Sequence, residues 1–243
     1  RSRCLNGEIE ALGAQPPERF LTFDSHGYKQ DLMTGQPGAT VSRGLNRFVW
    51  DMRYPSVPAI PGVPLVLIKP IAKQGTNLVR LTVDGESETQ SFELKMNPNE
   101  TYTREQIDEK GAFWLALHAK ATEGVQAVLD AQAAQARVAE VLEADNASEE
   151  LEAQAEAVHD VSQEFIASMV ATGSTLVQII SVPTKPPAML ATLQNVMEST
   201  EGQPNQPLRA VYAKTADEID AAIAEFRRTL DQEMTKFVSL SGR

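Results

Sequence analysis

Asn97-Pro98-Asn99-Glu100-Thr101-Tyr102-Thr103-Arg104-Glu105-Gln106 is where the chain changes its beat. Before this stretch, apolar residues tend to recur at every second position. After it, they recur at steps of three and four. The first period sorts side chains onto the two faces of a strand, the second onto one stripe of a helix. Asn97-Pro98-Asn99 is a break, because proline cannot donate to a strand ladder and asparagine favours turns. Thr103 and Gln106 then stand three apart, the spacing of a capping box, which starts a helix.

Working back toward the N-terminus, Glu86 to Lys95 reads as a strand with Phe92, Leu94 and Met96 on one face and Glu93 and Lys95 on the other. Asp84-Gly85 is a tight-turn signal, and Thr76 to Val83 is the strand before it. Leu65 to Ile68 predicts a short edge strand after the prolines at 55, 58, 61 and 64. Gly44 to Tyr54 alternates, with Phe48, Trp50 and Met52 together on one face as the core candidates. Residues 34–43 read as a loop. Arg19 to Asp24 and Tyr28 to Leu32, joined through Gly27, read as a hairpin. Strands at this spacing without helices predict a sandwich of six or seven strands.

Working forward, Leu117, Ala121, Gly124, Val128, Ala131, Gln135, Val138 and Leu142 step alternately by four and three, a seam along one helix. Gly124 within it reads as a point of close helix packing. Asp145-Asn146-Ala147-Ser148 is a break, with Ser148 as the next N-cap. Leu151, Ala155, Val158, Ser162, Phe165 and Met169 repeat the stepping. Gly173 and Pro183 to Pro187 interrupt it. Ala188 to Thr200 is a short helix, and Pro207 to Leu240 is a long one with Tyr212, Ile219, Ile223, Phe226, Leu230, Met234 and Phe237 inward. Two amphipathic helices joined by a short loop form an antiparallel hairpin and need further partners to cover their stripes. The expected architecture is multi-domain α and β: a lead-in at 1–17, an immunoglobulin- or fibronectin-like β-sandwich at 18–98, and an antiparallel up-down bundle of about four helices at 99–243.

Charge follows the same division. Residues 1–100 balance 11 Lys and Arg against 11 Asp and Glu, so the whole net charge of −11 sits in the helical part. Such a surface repels phosphate backbones and anionic lipid, and Lys and Arg do not cluster, so neither nucleic acid nor a membrane is the expected partner. The acidic face is read as a solvated helical surface. No apolar run is long enough to span a bilayer. The single cysteine, Cys4, rules out an intrachain disulfide and has no histidine neighbour to activate it.

No constellation for catalysis, cofactor or metal stands out. His26, His118 and His159 form no metal-binding spacing. Glu140 with Glu143, Glu149 with Glu150, and Glu152 with Glu156 lie along helix faces, not across a cleft as glycoside hydrolysis requires. Glu156 and His159 fit a di-iron Glu-x-x-His spacing once, where two copies are needed. Asp24, Asp51 and Asp84 lie at turns or strand ends without a calcium-loop spacing. No phosphate loop, dinucleotide fingerprint or nucleophile elbow occurs. Trp50 and Tyr54 are the candidate ligand platform, with Trp50 read first as a core residue. Phe113 and Trp114 are expected to pack the bundle end or its junction with the sandwich.

Phe20-Leu21-Thr22-Phe23-Asp24 with Gly27, Gly44 to Pro55, Gly75-Thr76 with Val79 to Gly85, and the tail from Pro186 to Leu193 onward together carry a resemblance. The chain resembles the C-terminal module behind the β-propeller of secreted bacterial BNR-repeat proteins, sialidase-like and sortilin-like. Gln74 and Asn77 stand where that module has proline and tyrosine. The β part is also similar to the immunoglobulin-like module of flagellar-hook capping proteins. The resemblance implies an exported protein, periplasmic or extracellular, with an upstream propeller as partner. The glycosyl-hydrolase label of such proteins belongs to the propeller, whose Asp-box repeats are absent here, so no catalytic residue carries over. The expected function is a non-enzymatic accessory region for docking, partner binding or homodimerisation through the bundle. The alternative is a carbohydrate-binding module assisting a glycoside hydrolase.

Overall fold

The computed structural model describes residues 7–13, 50, 52–54, 56–61, 69–83, 86–99, 101–144, 148–171, 185–200 and 202–241. Helix dominates them. The elements are β1 (Gly7–Gly13), β2 (Gly75–Val83), β3 (Glu86–Leu94), α1 (Arg104–Ala144), α2 (Glu149–Met169), α3 (Pro186–Ser199) and α4 (Gln206–Ser241). They fall into two compact units. One holds the sheet, the described residues of 50–56 and 69–99, α1 through His118, and 197–204. The other holds residues 57–61, α1 from Ala119, α2, α3 through Val196, and α4.

In the first unit the sheet is antiparallel with β2 in the middle. Gly7 faces Val83 and Gly13 faces Asn77 on one side of β2, while Gly75 faces Leu94 and Val83 faces Glu86 on the other. Ser87 to Ser91 of β3 are exposed. Polar and charged side chains along an edge strand discourage pairing with another chain. At the start of β2, Gly75 has φ +115, a conformation open to glycine at no steric cost. The buried Asn77 amide donates to the carbonyls of Lys73 at 3.1 Å and Gly75 at 3.0 Å, so a polar side chain closes that turn.

This corrects the sandwich expected over residues 18–98. Among the described residues there is one three-stranded sheet and no second sheet facing it. The immunoglobulin-like reading falls with it. β2 and β3 form where the alternation placed them. β1 lies inside what was read as the lead-in, 1–17. The end of the Gly44–Tyr54 strand does not form as expected. Met52 takes φ +59, outside the extended region, and is 50% exposed instead of joining a core. Its described residues make an isolated bridge, Arg53 to Ile71, with the Tyr54 N–H donating to Pro70 O and the Ala72 N–H to Met52 O, both at 2.8 Å. The Trp50 indole N–H turns back onto the Arg53 carbonyl at 2.9 Å, which an extended strand would not allow. The hairpin at 19–32, the loop at 34–43, the edge strand at 65–68, the Asp84-Gly85 turn and the first half of Gly44–Tyr54 lie outside the described residues.

The helix starts follow the local chemistry. Gln106 accepts from the Thr103 N–H at 3.0 Å and the Gln106 N–H donates to Thr103 Oγ1 at 3.3 Å, both halves of the capping box. Ser148 Oγ accepts from the Leu151 N–H at 3.2 Å. Thr103→Ala is expected to lower stability by about 1 kcal/mol, read from urea unfolding, with Thr103→Ser near wild type.

In the second unit the seams face inward. All six predicted α2 positions, Leu151, Ala155, Val158, Ser162, Phe165 and Met169, are buried. Ser162 is satisfied by donating to the Val158 carbonyl at 2.8 Å. Val138 of α1, Leu151, Ala155 and Val158 of α2, and Phe237 of α4 form one cluster, flanked by Leu142, Leu230 and Met234. Phe165 of α2 stacks on Phe226 of α4 with centroids 4.2 Å apart. Gly124 is where α1 meets α2, α3 and α4. A Cβ there would lie 3.0 Å from Met169 Cε, 3.5 Å from Pro187 Cγ and 3.6 Å from Ile219 Cγ2.

Lys120 of α1 ties that helix to α4. It donates to Glu123 at 2.8 Å and to Asp220 at 2.6 Å. Burial pushes the ammonium pKa down, but the hydrogen bonds to Asp220 and Glu123 outweigh this, and the result lies above the ordinary 10.5. With the folded value above the unfolded one, its contribution is complete below that ordinary value and is lost as pH rises through the raised one. The stability advantage of wild type over Lys120→Met is therefore expected to hold from about pH 6 to 9 and to shrink above about pH 11, by urea unfolding at each pH.

Candidate functional site

The capped start of α1 fixes one wall of a cavity in the first unit. From Gln106, helical spacing puts Ile107, Lys110, Gly111 and Trp114 on one side of the helix. With Tyr102 just before the cap, these residues line a cavity of ≈ 300 Å³. Ile71, Ala72, Lys73 and Gln74, which lead into β2, supply a second wall. Glu198, Thr200 and Gly202, at and beyond the end of α3, supply a third. Gly202 has φ +88 and passes so close to Tyr102 that a Cβ would lie 3.2 Å from its ring.

The charged groups around the cavity are engaged. Lys110 Nζ donates to the Thr200 carbonyl at 2.7 Å and lies 5.1 Å from the centre of the Trp114 ring, a cation–π contact. Lys73 pairs with Asp108 at 3.6 Å, and Arg104 binds Asp108 at 3.2 Å and the Gln74 carbonyl at 3.1 Å. Arg53 holds Glu198 at 2.6 Å while donating to the Lys69 carbonyl at 2.8 Å. Two neutral groups are not engaged. Trp114 Nε1 and Gln74 Oε1 are buried and have no hydrogen-bond partner among the described residues.

Gly111 is the open side of α1. Nothing lies within 4 Å of the position its Cβ would take. Glycine inside a helix costs about 0.8–1.0 kcal/mol relative to alanine. Gly111→Ala is therefore expected to raise stability by about that amount, measured by urea unfolding.

The sequence-predicted platform lies elsewhere in the same unit. Trp50 is half-buried, its ring edge-on to Phe92 with centroids 5.8 Å apart. Tyr54 is also half-buried, and burial pushes its hydroxyl above the ordinary tyrosine value against a hydrogen bond from the Lys73 backbone. Neither lines the cavity. Phe113 and Trp114 are both buried, as packing residues should be. His118 is buried and His159 exposed, and they are not part of one cluster. Among the described residues, no group of three or more His, Cys, Asp or Glu is arranged to hold a metal ion. Glu140, Glu143, Glu149, Glu150, Glu152 and Glu156 are all exposed. Cys4, His26, Asp24, Asp51 and Asp84 lie outside the described residues. No described helix is long and apolar enough to cross a membrane.

Sequence reading missed the cavity because its walls come from segments about 30 and 90 residues apart. The one local signal was Gly111, a helix-weakening residue in the opening turns of a helix that its neighbours favour. No family model, curated protein or solved structure matches the chain, so the resemblance read at Gly44 to Pro55 has no support from those comparisons.

Proposed function

We propose that this chain is a non-catalytic interaction region of a larger exported protein, in which the helical unit meets a basic partner surface through α2. The observation that carries the reading is the outer face of α2. Its charged side chains are Glu149, Glu150, Glu152, Glu156, Asp160 and Glu164, with no Lys or Arg among its residues. All six are exposed. Glu152, Glu156, Asp160 and Glu164 follow one another at four-residue steps, so they stand above one another on one stripe. Like charges at that spacing weaken a helix by about 0.2–0.5 kcal/mol per pair. Carboxylates toward the C-terminal end also oppose the helix dipole. An arrangement that costs the isolated helix stability is accounted for when a cationic surface covers it. The apolar seam of α2 is already filled by α1 and α4 of the same chain, so the outer face is what it offers to others. Export rests on the resemblance alone.

A photo-crosslinking residue at Glu156, in the intact protein within the cells that make it, tests this. The expected result is one discrete adduct, lost when Glu152, Asp160 and Glu164 are changed to Lys. Absence of an adduct from Glu156, or an adduct indifferent to those changes, contradicts it. Measurable turnover by the purified chain on a broad hydrolase substrate panel contradicts the non-catalytic part.

A further inference from the structure

Packing gives no reason for a glycine at position 111. Nothing lies within 4 Å of the position its Cβ would take, yet glycine weakens the helix that carries it. Gly124, the other glycine of α1, shows the contrast, because Met169 Cε stands 3.0 Å from where its Cβ would be. What the missing side chain at Gly111 does leave is room in the ≈ 300 Å³ cavity it lines. A second feature of the same cavity is Ile71, on the wall that leads into β2. It is 39% exposed, and among the exposed large apolar side chains of the described residues it is the one that lines the cavity. Apolar surface left in water at a concave site is surface that a ligand can cover.

We propose that this cavity binds a small uncharged aromatic molecule of one or two fused rings. The walls select against polar ligands. Lys73, Lys110 and Glu198 are engaged with Asp108, the Thr200 carbonyl and Arg53. Gln106 accepts from the Thr103 N–H in the capping box. The Trp114 N–H and Gln74 Oε1 lie beneath the surface, where no molecule in the cavity reaches them. A sugar or a carboxylate entering here would shed its water and meet groups already committed within the protein, which costs affinity. An aromatic hydrocarbon asks for no hydrogen bond. Ile71, Ala72, Ile107 and Gly111 offer it apolar surface, and Tyr102 and Trp114 add rings, against which another ring packs edge-on or offset. An apolar cavity of about 150 Å³ holds one benzene ring, so ≈ 300 Å³ suits one ring or two fused rings and not a longer chain. The site does not use α2, so it stands or falls separately from the interaction proposed for that helix.

The methyl resonances of the two cavity isoleucines, Ile71 and Ile107, test this directly. An aromatic ring seated beside them moves their δ1 methyl signals through its ring current, and Ile71→Val and Ile107→Val assign the two signals. The full chain is titrated separately with indole and with toluene, and D-glucose and sodium acetate serve as polar comparisons. The expected result is a saturable shift of at least one of the two signals with indole or toluene, with Kd about 1 mM or tighter. Ile223, buried in the helical unit, stays in place, and glucose and acetate move neither cavity signal. Gly111→Leu places a branched side chain in the free space, keeps a melting temperature no lower than wild type, and abolishes the shift. If that variant melts lower, the wild-type titrations decide alone. Cavity signals that neither aromatic probe moves, shifts that grow without saturating, saturation by glucose or acetate, or an unchanged shift in a folded Gly111→Leu overturns the proposal.

Discussion

Phe237→Ala lowers the unfolding free energy by about 3–5 kcal/mol. Phe237 is buried against Val138 of α1 and Leu151, Ala155 and Val158 of α2, with Leu230 and Met234 of its own helix closing the flank. Truncation removes the transfer free energy of the ring and leaves a cavity bounded by side chains on three helices, which can collapse only in part. Val238, the next residue, is exposed. Val238→Ala is expected to change stability by less than about 0.5 kcal/mol. Urea unfolding of both variants reads the contrast. Equal effects would mean that α4 does not bury the stripe carrying Ile219, Ile223, Phe226 and Phe237.

Gly124→Leu costs about 3 kcal/mol, at the upper end for overpacking. Methyl or methylene groups of Met169, Pro187 and Ile219 surround the site, so a branched side chain has no direction in which to go. Gly124→Ala comes out close to neutral. Its Cβ crowds only the flexible end of Met169, and the helix gains about 1 kcal/mol in propensity. The pair of variants is diagnostic, because a glycine present merely by chance would gain from both substitutions. Melting temperatures and urea midpoints report it.

The helical part was legible because its signals are local. Thr103 and Gln106 lie within one turn, and their capping box depends on nothing distant. The same is true of Ser148 and the Leu151 N–H. The four-three stepping from Leu117 to Val138 and from Leu151 to Met169 survives folding, since any helix must bury an apolar stripe of that period. The β part was legible only where a strand finds its partner next in sequence, as β2 does in β3. Alternation in Gly44 to Tyr54 says which side chains would share a face if the backbone were extended. It does not reveal that Met52 adopts a positive φ or that the Trp50 indole bonds to the Arg53 carbonyl. β1 went unread because Gly7-Glu8-Ile9-Glu10-Ala11-Leu12-Gly13 is short and thinly apolar, although glycines punctuate both its ends. Its pairing to β2 spans some 70 residues, and no local pattern encodes that. The cavity was hidden for the same reason.

The most direct test of the fold is the contact between two aromatic rings, Phe165 and Phe226, stacked with centroids 4.2 Å apart. An NMR sample mixing ¹³C-labelled and unlabelled chains separates contacts within a chain from contacts between copies. A strong nuclear Overhauser effect between the two rings, arising within single chains and independent of concentration, is the predicted result. Its absence, or its appearance only between copies, would contradict a bundle that fills its own core.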